Sequence, residues 1–585
     1  MKLNILVCVK QVPDTAEIRT DPKTGNLLRE GLPAVVNPYD KYALELALRI
    51  KDEHPGVKVT MVSMGPRQAE AALRQCLAMG ADKAVLLSDR AFGGADTLAT
   101  SYVLARAVRH LGAFDLILCG RQAIDGDTAQ TGPALAEQLG WPQVTLVKEL
   151  QVSADRIRAT RETSRGTEVW QAALPALVTV TKPGFEPRVP TLRASLAAKR
   201  AAVTVLALDD IAADPARCGL RGSPTAVRKT YTLAAKKACV FARDANELVA
   251  LLLQQKSRPK QEQASHVQAT PHKATDVWAW LESPAETALL HQARQLAGKL
   301  GTGLAAILLG HEITQAAQAL RGADRVIFMD DPAFAQYHTE SCTAAMHLLV
   351  EKHKPGTLLF PASCNGRDLA PRLACRLQTG LTADCTGLDL NPQSGRVQWI
   401  RPAFCGKLMA VIECKTNPQM GTVRTAGGEL SMAGAPAEVI QESVPDLPVA
   451  GAQLLERQDA LEQGDALSGA EIIVAGGRGM DFALLRELAA ALGGCVAGSR
   501  AAADEGLIPR ARQVGQTGTM VSPKLYIACG ISGAAQHVAG ITGAGTVVAI
   551  NSDPEAAIFD VADIGIVGDA REIVPAMIKL LQPIQ

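Results

Sequence analysis

The 585-residue chain has almost no net charge, no closely spaced cysteines, no phosphate-loop signature and no long uninterrupted apolar run. Each absence removes a class of function. Lys+Arg 60 against Asp+Glu 59 leaves a net charge of +1, so the chain lacks the excess positive charge from which nucleic-acid and acidic-membrane binders draw affinity. Small molecules and proteins are the expected partners, and no nucleic acid. The 13 Cys are scattered, the nearest two in sequence being Cys405 and Cys414; without a C-x-x-C pair no zinc or iron–sulfur site is expected. Reduced, buried thiols in a cytoplasmic protein are the plainer reading. The G-x-x-x-x-G-K-[ST] cradle of a nucleotide hydrolase is missing. The apolar run inside MKLNILVCVKQVPD, about six residues, is too short for a signal-peptide core and reads as a first strand. Leu525 to Ile550 carries no Asp, Glu, Lys or Arg and exceeds the length of about twenty residues that spans a membrane. Gly530, Ser532, Gly533, Gln536, His537, Gly540, Gly543 and Gly545 interrupt it, so strand, glycine turn, short helix and strand are expected, and no transmembrane segment.

What is present is a globular composition, 47% hydrophobic and 20% charged, in a length that predicts roughly three or four units at about 150 residues each. The polar segment 254–276 (QQKSRPKQEQASHVQATPHKATD) reads as a linker between two halves, and Pro445, Pro448 and the Gln, Glu and Asp around 446–468 as a second connector. The expected units are therefore 1–253 with a C-terminal arm, 277–445 and 469–585. In the first, LNILVCV, VKVTMVS, AVLLSD, FDLILCG and ALVTVT alternate with helical patterns such as KYALELALRIKDE. The second has VWAWLES, LAAILLG, RVIFMDD, TLLFPAS and LMAVIEC; the third has EIIVAGG, LYIACG, TVVAIN and IGIVGD. Short apolar strands separated by amphipathic helices predict α/β units with parallel sheets.

The two halves also repeat each other. P-x-L-A-x-x-L occurs at Pro133–Leu139 and Pro371–Leu377, and Pro187, Thr191 and Arg193 recur at the spacing of Pro418, Thr422 and Arg424. A duplicated domain is expected, its copies facing one another about a pseudo-twofold axis.

Ligands of an open parallel sheet sit beyond the carboxyl ends of its strands. In the first half the post-strand loop GRQAIDGDTAQT, Gly120 to Thr131, offers small, hydroxylated and acidic residues, and Asn37 with Pro-Tyr-Asp and Ser63 stand at neighbouring strand ends. Such loops are equally ordinary helix caps. The third unit is denser: GGRG at 476–479, Ser499 and Arg500, VGQTG, GISGAAQH, AIN and GIVGD place glycines, hydroxyls, amides and two arginines in five loops, the residue types a large anionic cofactor needs. For His537 alone a satisfied core histidine is the default, and for Arg500 alone a solvated salt bridge.

These motifs resemble a known family. GGRG, SRAAAD, VGQTG, PKLYIACGISGAAQHVAG and INSDPEAAIFDVADIGIVGD are similar to the FAD-binding domain of the electron-transfer flavoprotein α subunit. GRDLAPRLACRLQTGLTADCTGLDL, RPAF and NPQMGTVR resemble that subunit's N-terminal domain. The first half resembles the β subunit through VKQVPDT, NPYDKYALELALR, GGADTLATS, DGDTAQTGP, EPRVPTLRASLAAKR and GSPTAVRKTY. The resemblance implies a β–α fusion with three Rossmann-like parallel-sheet domains. The first two form a duplicated adenine-nucleotide-hydrolase-like pair, and the third is a doubly wound FAD-binding domain.

It implies FAD at Arg478, Ser499, Arg500, Gln516, Thr517, Ser532, Gln536, His537, Asn551 and Asp569, with Gly515 and Gly533 in their loops. Arg500 is implied over the isoalloxazine, Thr517 near N5 and His537 near the O2 edge, where positive groups favour the anionic semiquinone. A second nucleotide is implied at Cys8, Asn37, Asp40, Ser63, Thr97, Gly120, Gly126, Asp127, Thr128, Gln130 and Thr131. Housekeeping members hold AMP there, usually with an Asn-Gln-Thr loop. The G-D-T-A-Q form at Gly126–Gln130 resembles electron-bifurcating relatives, which hold a second FAD reduced by NADH. The partners implied are an acyl-CoA dehydrogenase or similar flavoenzyme, ferredoxin or flavodoxin, and a quinone oxidoreductase, with Leu192 at the partner-anchoring position. The family patterns RPAFGGN and TVRPG are altered here by Cys405 and Lys407, and by Thr425 and Ala426. A one-FAD shuttle with structural AMP, a non-redox nucleotide binder and a scaffold are the competing readings.

Overall fold

The computed structural model describes residues 2–13, 34–163, 166–232, 239–256, 276–285, 287–404, 408–425, 436–444, 446–448, 450–459, 467, 470–515, 518–519, 521, 523–541 and 543–581. Three mostly parallel sheets organise it. The first has ten strands in the spatial order Thr204–Leu206, Lys83–Leu87, Val57–Met64, Leu3–Cys8, Leu116–Gly120, Ala176–Val180, Gln143–Val152, Arg156–Thr163, Gly166–Ala173 and Ala452–Asp459. Pairing is parallel up to Gln143–Val152 and antiparallel beyond it. Strands covered on both faces read as continuous apolar runs. In LNILVC, Ile5 and Val7 enter one core while Leu6 enters the other.

The seven-stranded sheet runs Leu381–Cys385, Gln419–Val423, Thr357–Pro361, Val277–Leu281, Leu304–Gly310, Arg325–Asp330 and Glu438–Gln441, all parallel. The six-stranded sheet runs Val240–Phe241, Ile564–Val567, Thr546–Asn551, Leu525–Cys529, Ile472–Gly476 and Cys495–Gly498, also parallel. The uncharged stretch from Leu525 is strand, turns, the short helix Ala535–Val538 and strand, as expected. No described helix is long and apolar enough to cross a membrane.

The repeated P-x-L-A-x-x-L motifs lie on the helices Thr131–Leu139 and Cys364–Arg376, which pack on each other. Glu137 there accepts from Arg372 Nε at 3.0 Å and from Arg376 Nε at 2.7 Å. A second buried tie joins the halves: Asp368 accepts from Thr145 Oγ1 at 2.5 Å and Arg161 Nη1 at 3.0 Å. The two copies thus face one another through their duplicated helices.

Three elements depart from the sequence expectation. LMAVIEC lies outside the parallel sheet: Leu408–Cys414 pairs antiparallel with Val397–Ala403 and with Thr225–Thr232 of the first half. The arm assigned to the first unit reaches the third, because Val240–Phe241 pairs with Ile564–Val567 and the helix Ala245–Lys256 buries Leu248, Val249 and Leu252 in the third core. The connector expected at 446–468 contains the strand Ala452–Asp459, which edges the first sheet beside Gly166–Ala173. Its Glu and Arg side chains suit an exposed edge, where pairing is through the backbone. Most of the linker expected at 254–276 lies outside the described residues.

Candidate functional site

In the third unit five strands end on one edge, and the post-strand amides keep the ladder going. Gly477 N donates to Cys529 O, Ser499 N to Gly476 O, Gly530 N to Ile550 O and Gly568 N to Asn551 O, at 2.8 to 2.9 Å. The loops predicted to hold a cofactor therefore lie side by side. Two glycines are obligatory for that closeness: a Cβ on Gly477 would stand 2.0 Å from Gly530 O, and one on Gly533, at φ +83, 2.1 Å from Ile558 N. Ser499 caps the helix Arg500–Asp504, and Arg500 is more than half exposed with its guanidinium 3.3 Å from Asp504. Arg478 is exposed, as are Ser532 and Gln536. Gly515 holds φ +140 against Gln536 O. Asn551 is bound at both ends by backbone, Nδ2 to Ile531 O at 2.9 Å and Oδ1 from Asp553 N at 3.0 Å, and so fixes the loops. Asp569 caps Arg571 N and pairs with its guanidinium. Gln516 and Thr517 lie outside the described residues.

His537 is buried, with Nε2 2.9 Å from Tyr526 Oη, while Nδ1 makes no hydrogen bond. Burial pulls its pKa down to about 4, so the ring is neutral at physiological pH. Desolvation leaves His537 as a neutral hydrogen-bonding group, whereas the guanidinium of Arg500 is exposed. The Arg500 charge also acts on Tyr42 and Glu186 of the first half, so that edge of the third unit faces the first.

In the first half, Asn37 is the keystone. Its Nδ2 donates to Asp40 Oδ1 at 2.8 Å and Gln122 O at 2.9 Å, and its Oδ1 accepts from Ile124 N at 3.1 Å. Asp40 also accepts from Lys10 N at 2.7 Å, and burial pushes its carboxyl up to about 7. Gly120 is required beside it, since a Cβ there would lie 2.2 Å from Asp40 Oδ1. Asp127 and Ala129 take left-handed φ of 49° and 55°, and nothing stands within 4 Å of a Cβ built on Gly126. Thr97 Oγ1 donates to Gln130 Oε1 at 2.6 Å, and Gln130 Nε2 reaches Leu381 O at 3.2 Å in the opposite half. Thr131 opens its helix, Thr128 is partly exposed, Ser63 Oγ is buried without a partner, and Cys8 ends its strand. Asn37, Asp40 and Gln130, assigned to the nucleotide from sequence, are engaged with protein and shape the loop.

Sequence reasoning missed Arg401. From Val397–Ala403 in the opposite half, this buried side chain donates Nη1 to Gly126 O at 2.5 Å and Nη2 to Asp127 O at 2.9 Å, while Nε has no partner. Asp384 nearby is held well below the usual carboxylate range despite its burial, by Arg367 and Arg424 with help from Arg401. RPAF was quoted as a motif, yet nothing in the sequence distinguishes an arginine that crosses between halves from one on the surface.

A family model described as the electron transfer flavoprotein domain matches residues 24–211 and 281–447, and one described as the electron transfer flavoprotein FAD-binding domain matches 466–542. The chain belongs to the electron transfer flavoprotein family. It is 51% identical over 236 residues to the electron transfer flavoprotein subunit beta of Megasphaera elsdenii, covering 39% of this chain and 87% of the relative. It is 43% identical over 315 residues to the subunit alpha of Thermoanaerobacterium thermosaccharolyticum, covering 51% and 93%. A third relative is the caffeyl-CoA reductase-Etf complex subunit CarD of Acetobacterium woodii, 48% identical over 234 residues, covering 40% and 89%. This electron transfer flavoprotein is thus a β–α fusion, β part first.

FAD fits the flavoprotein's third unit on two observations: an orphaned buried nitrogen, His537 Nδ1, and glycine loops packed closely enough to present backbone amides. Among the described residues no group of three or more His, Cys, Asp or Glu is placed to hold a metal ion. Leu192 is 78% exposed at the start of the helix Leu192–Arg200, with Val189 and Leu196 exposed beside it.

Proposed function

We propose that this flavoprotein takes two electrons from NADH and divides them, one toward ferredoxin or flavodoxin and one toward an acyl-CoA dehydrogenase, similar flavoenzyme or quinone oxidoreductase. It would use two FAD, one in the third unit and one in the first half. Bound FAD supplies both the one-electron and two-electron chemistry. Arg478, Ser499, Arg500, Ser532, Gln536 and His537 are assigned to hold the first FAD, and from the sequence Gln516 and Thr517 with them. The loop Gly126–Gln130, shaped by Asn37 and clamped by Arg401, is assigned to the second. Leu192 is assigned to the partner surface, as an exposed apolar side chain beside the exposed Val189 and Leu196.

The observation that carries the two-nucleotide reading is the preformed loop at Gly126–Gln130. Its two left-handed residues are held by a guanidinium from the other half, and nothing stands within 4 Å of a Cβ built on Gly126, which leaves open space at the loop for a ligand. Likeness to a subunit named for a caffeyl-CoA reductase-Etf complex supports a reductase partner. The same open loop is compatible with AMP, which gives the one-FAD shuttle as the second reading. Anaerobic addition of NADH separates them: rapid bleaching of the flavin absorbance supports division of electrons, and no bleaching supports the shuttle.

A further inference from the structure

Beneath the second pocket two thiols meet. Cys8 ends the strand Leu3–Cys8 and Cys119 lies in Leu116–Gly120; the strands are adjacent and parallel, with Cys8 in direct register with Cys119. Both side chains pack into the same core. Register neighbours on adjacent strands lie about 4.8 Å apart, inside the Cα separation of roughly 4.4–6.8 Å that a disulfide spans. Cys8 is half-buried and Cys119 buried. We propose that Cys8 and Cys119 form a peroxide-sensitive dithiol whose oxidation to a disulfide weakens nucleotide binding in the first half. The inference rests on the reading of that half as a nucleotide site.

The chemistry balances with hydrogen peroxide, the oxidant that a reduced flavin releases when it meets dioxygen. The Cys8 sulfur, the more accessible, attacks one peroxide oxygen; the O–O bond breaks, and a sulfenic acid and water form. The Cys119 sulfur then attacks the sulfenic sulfur; the S–S bond forms, the S–O bond breaks and a second water leaves. Two thiols lose two electrons and two protons, and one peroxide becomes two waters. Its neighbour Cys8 and burial hold the Cys119 thiol well above the ordinary cysteine range, so the more accessible Cys8 is the first to meet the peroxide.

The coupling to the pocket runs through Gly120. It follows Cys119 directly and packs on Asp40 with no room for even a methyl group. Asp40 in turn holds Asn37, and Asn37 holds the loop at Gln122 and Ile124. Drawing the two sulfurs together to the bond length of about 2.05 Å shifts Cys119, and a close-packed neighbour without slack must follow.

The test uses the full chain, reduced or treated with peroxide, with FAD and AMP as probes of the first-half pocket. Free thiols are alkylated, the disulfide is located by peptide mass, and binding is measured before and after dithiothreitol. Expected are a linked Cys8–Cys119 peptide and at least a fivefold weaker affinity that dithiothreitol restores. Cys119→Ser is expected to show no such change between its own treated and untreated samples. Both thiols remaining alkylatable after peroxide, or a disulfide that leaves affinity within twofold, would overturn the inference alone. A chain that binds neither probe in the first half when fully reduced would overturn the pocket reading and this inference with it.

Discussion

Arg401 and Asp40 act on the same loop from opposite sides, and each yields a prediction. Removing the Arg401 guanidinium leaves the carbonyls of Gly126 and Asp127 without the donors they now have, at about 1.5–3 kcal/mol for each hydrogen bond to a charged group. Arg401→Leu is therefore expected to lose the first-half nucleotide on purification while keeping the third-unit FAD, read by chromatography of released cofactors. Asp40 titrates at about 7 in the folded chain against an ordinary 3.8, chiefly because burial penalises its charge. Since the folded state holds this proton more tightly, the group's stabilisation is complete below about pH 3.8 and is lost as pH rises through about 7. Denaturant unfolding between about pH 5 and 8 is expected to show stability falling by at most about 1.4 kcal/mol per pH unit from this residue. Asp40→Asn flattens that slope. In the third unit, Arg500→Ala is expected to shift the flavin midpoint potential without unfolding; an unchanged reductive titration contradicts its place at the ring.

At the scale of elements, the arm and the paired helices decide which pieces hold together. Leu248, Val249 and Leu252 belong to the third core and pack with Val574, Met577 and Ile578, so a fragment 470–585 alone exposes that face. It is expected to aggregate or bind FAD poorly, and co-expression with 239–256 to restore soluble, yellow protein. Between the halves, Glu137→Ala removes the carboxylate shared by Arg372, which is 3% exposed, and Arg376, leaving Arg372 with Trp141 O and with Glu340 at 3.9 Å; the loss is expected to cost up to about 3–5 kcal/mol, visible as a lowered Tm. The central strands were legible as runs because both faces are covered, LNILVC and LYIAC being fully apolar or nearly so. Ala452–Asp459 was not, because an edge strand paired through its backbone carries the Glu, Arg and Gln of a connector. Val240–Phe241 was too short to signal its sheet. His537 is the buried, hydrogen-bonded core histidine that its apolar setting suggests, whereas Arg401 reaches its loop across 275 residues, a separation no local pattern encodes.

Across the whole molecule, the fusion places a third unit beside a facing pair, with the Arg500 charge felt at Tyr42 and Glu186 of the first half. In the proposed two-FAD reading, one flavin would stand at the edge carrying Arg500 and one at the loop Gly126–Gln130. The flavin content of the purified chain tests this most directly. Two FAD per chain, counted from released cofactor against protein concentration, is the predicted result. One FAD per chain with AMP released beside it would contradict the two-flavin reading, and a chain that stays colourless after incubation with excess FAD would contradict flavin binding in the third unit as well.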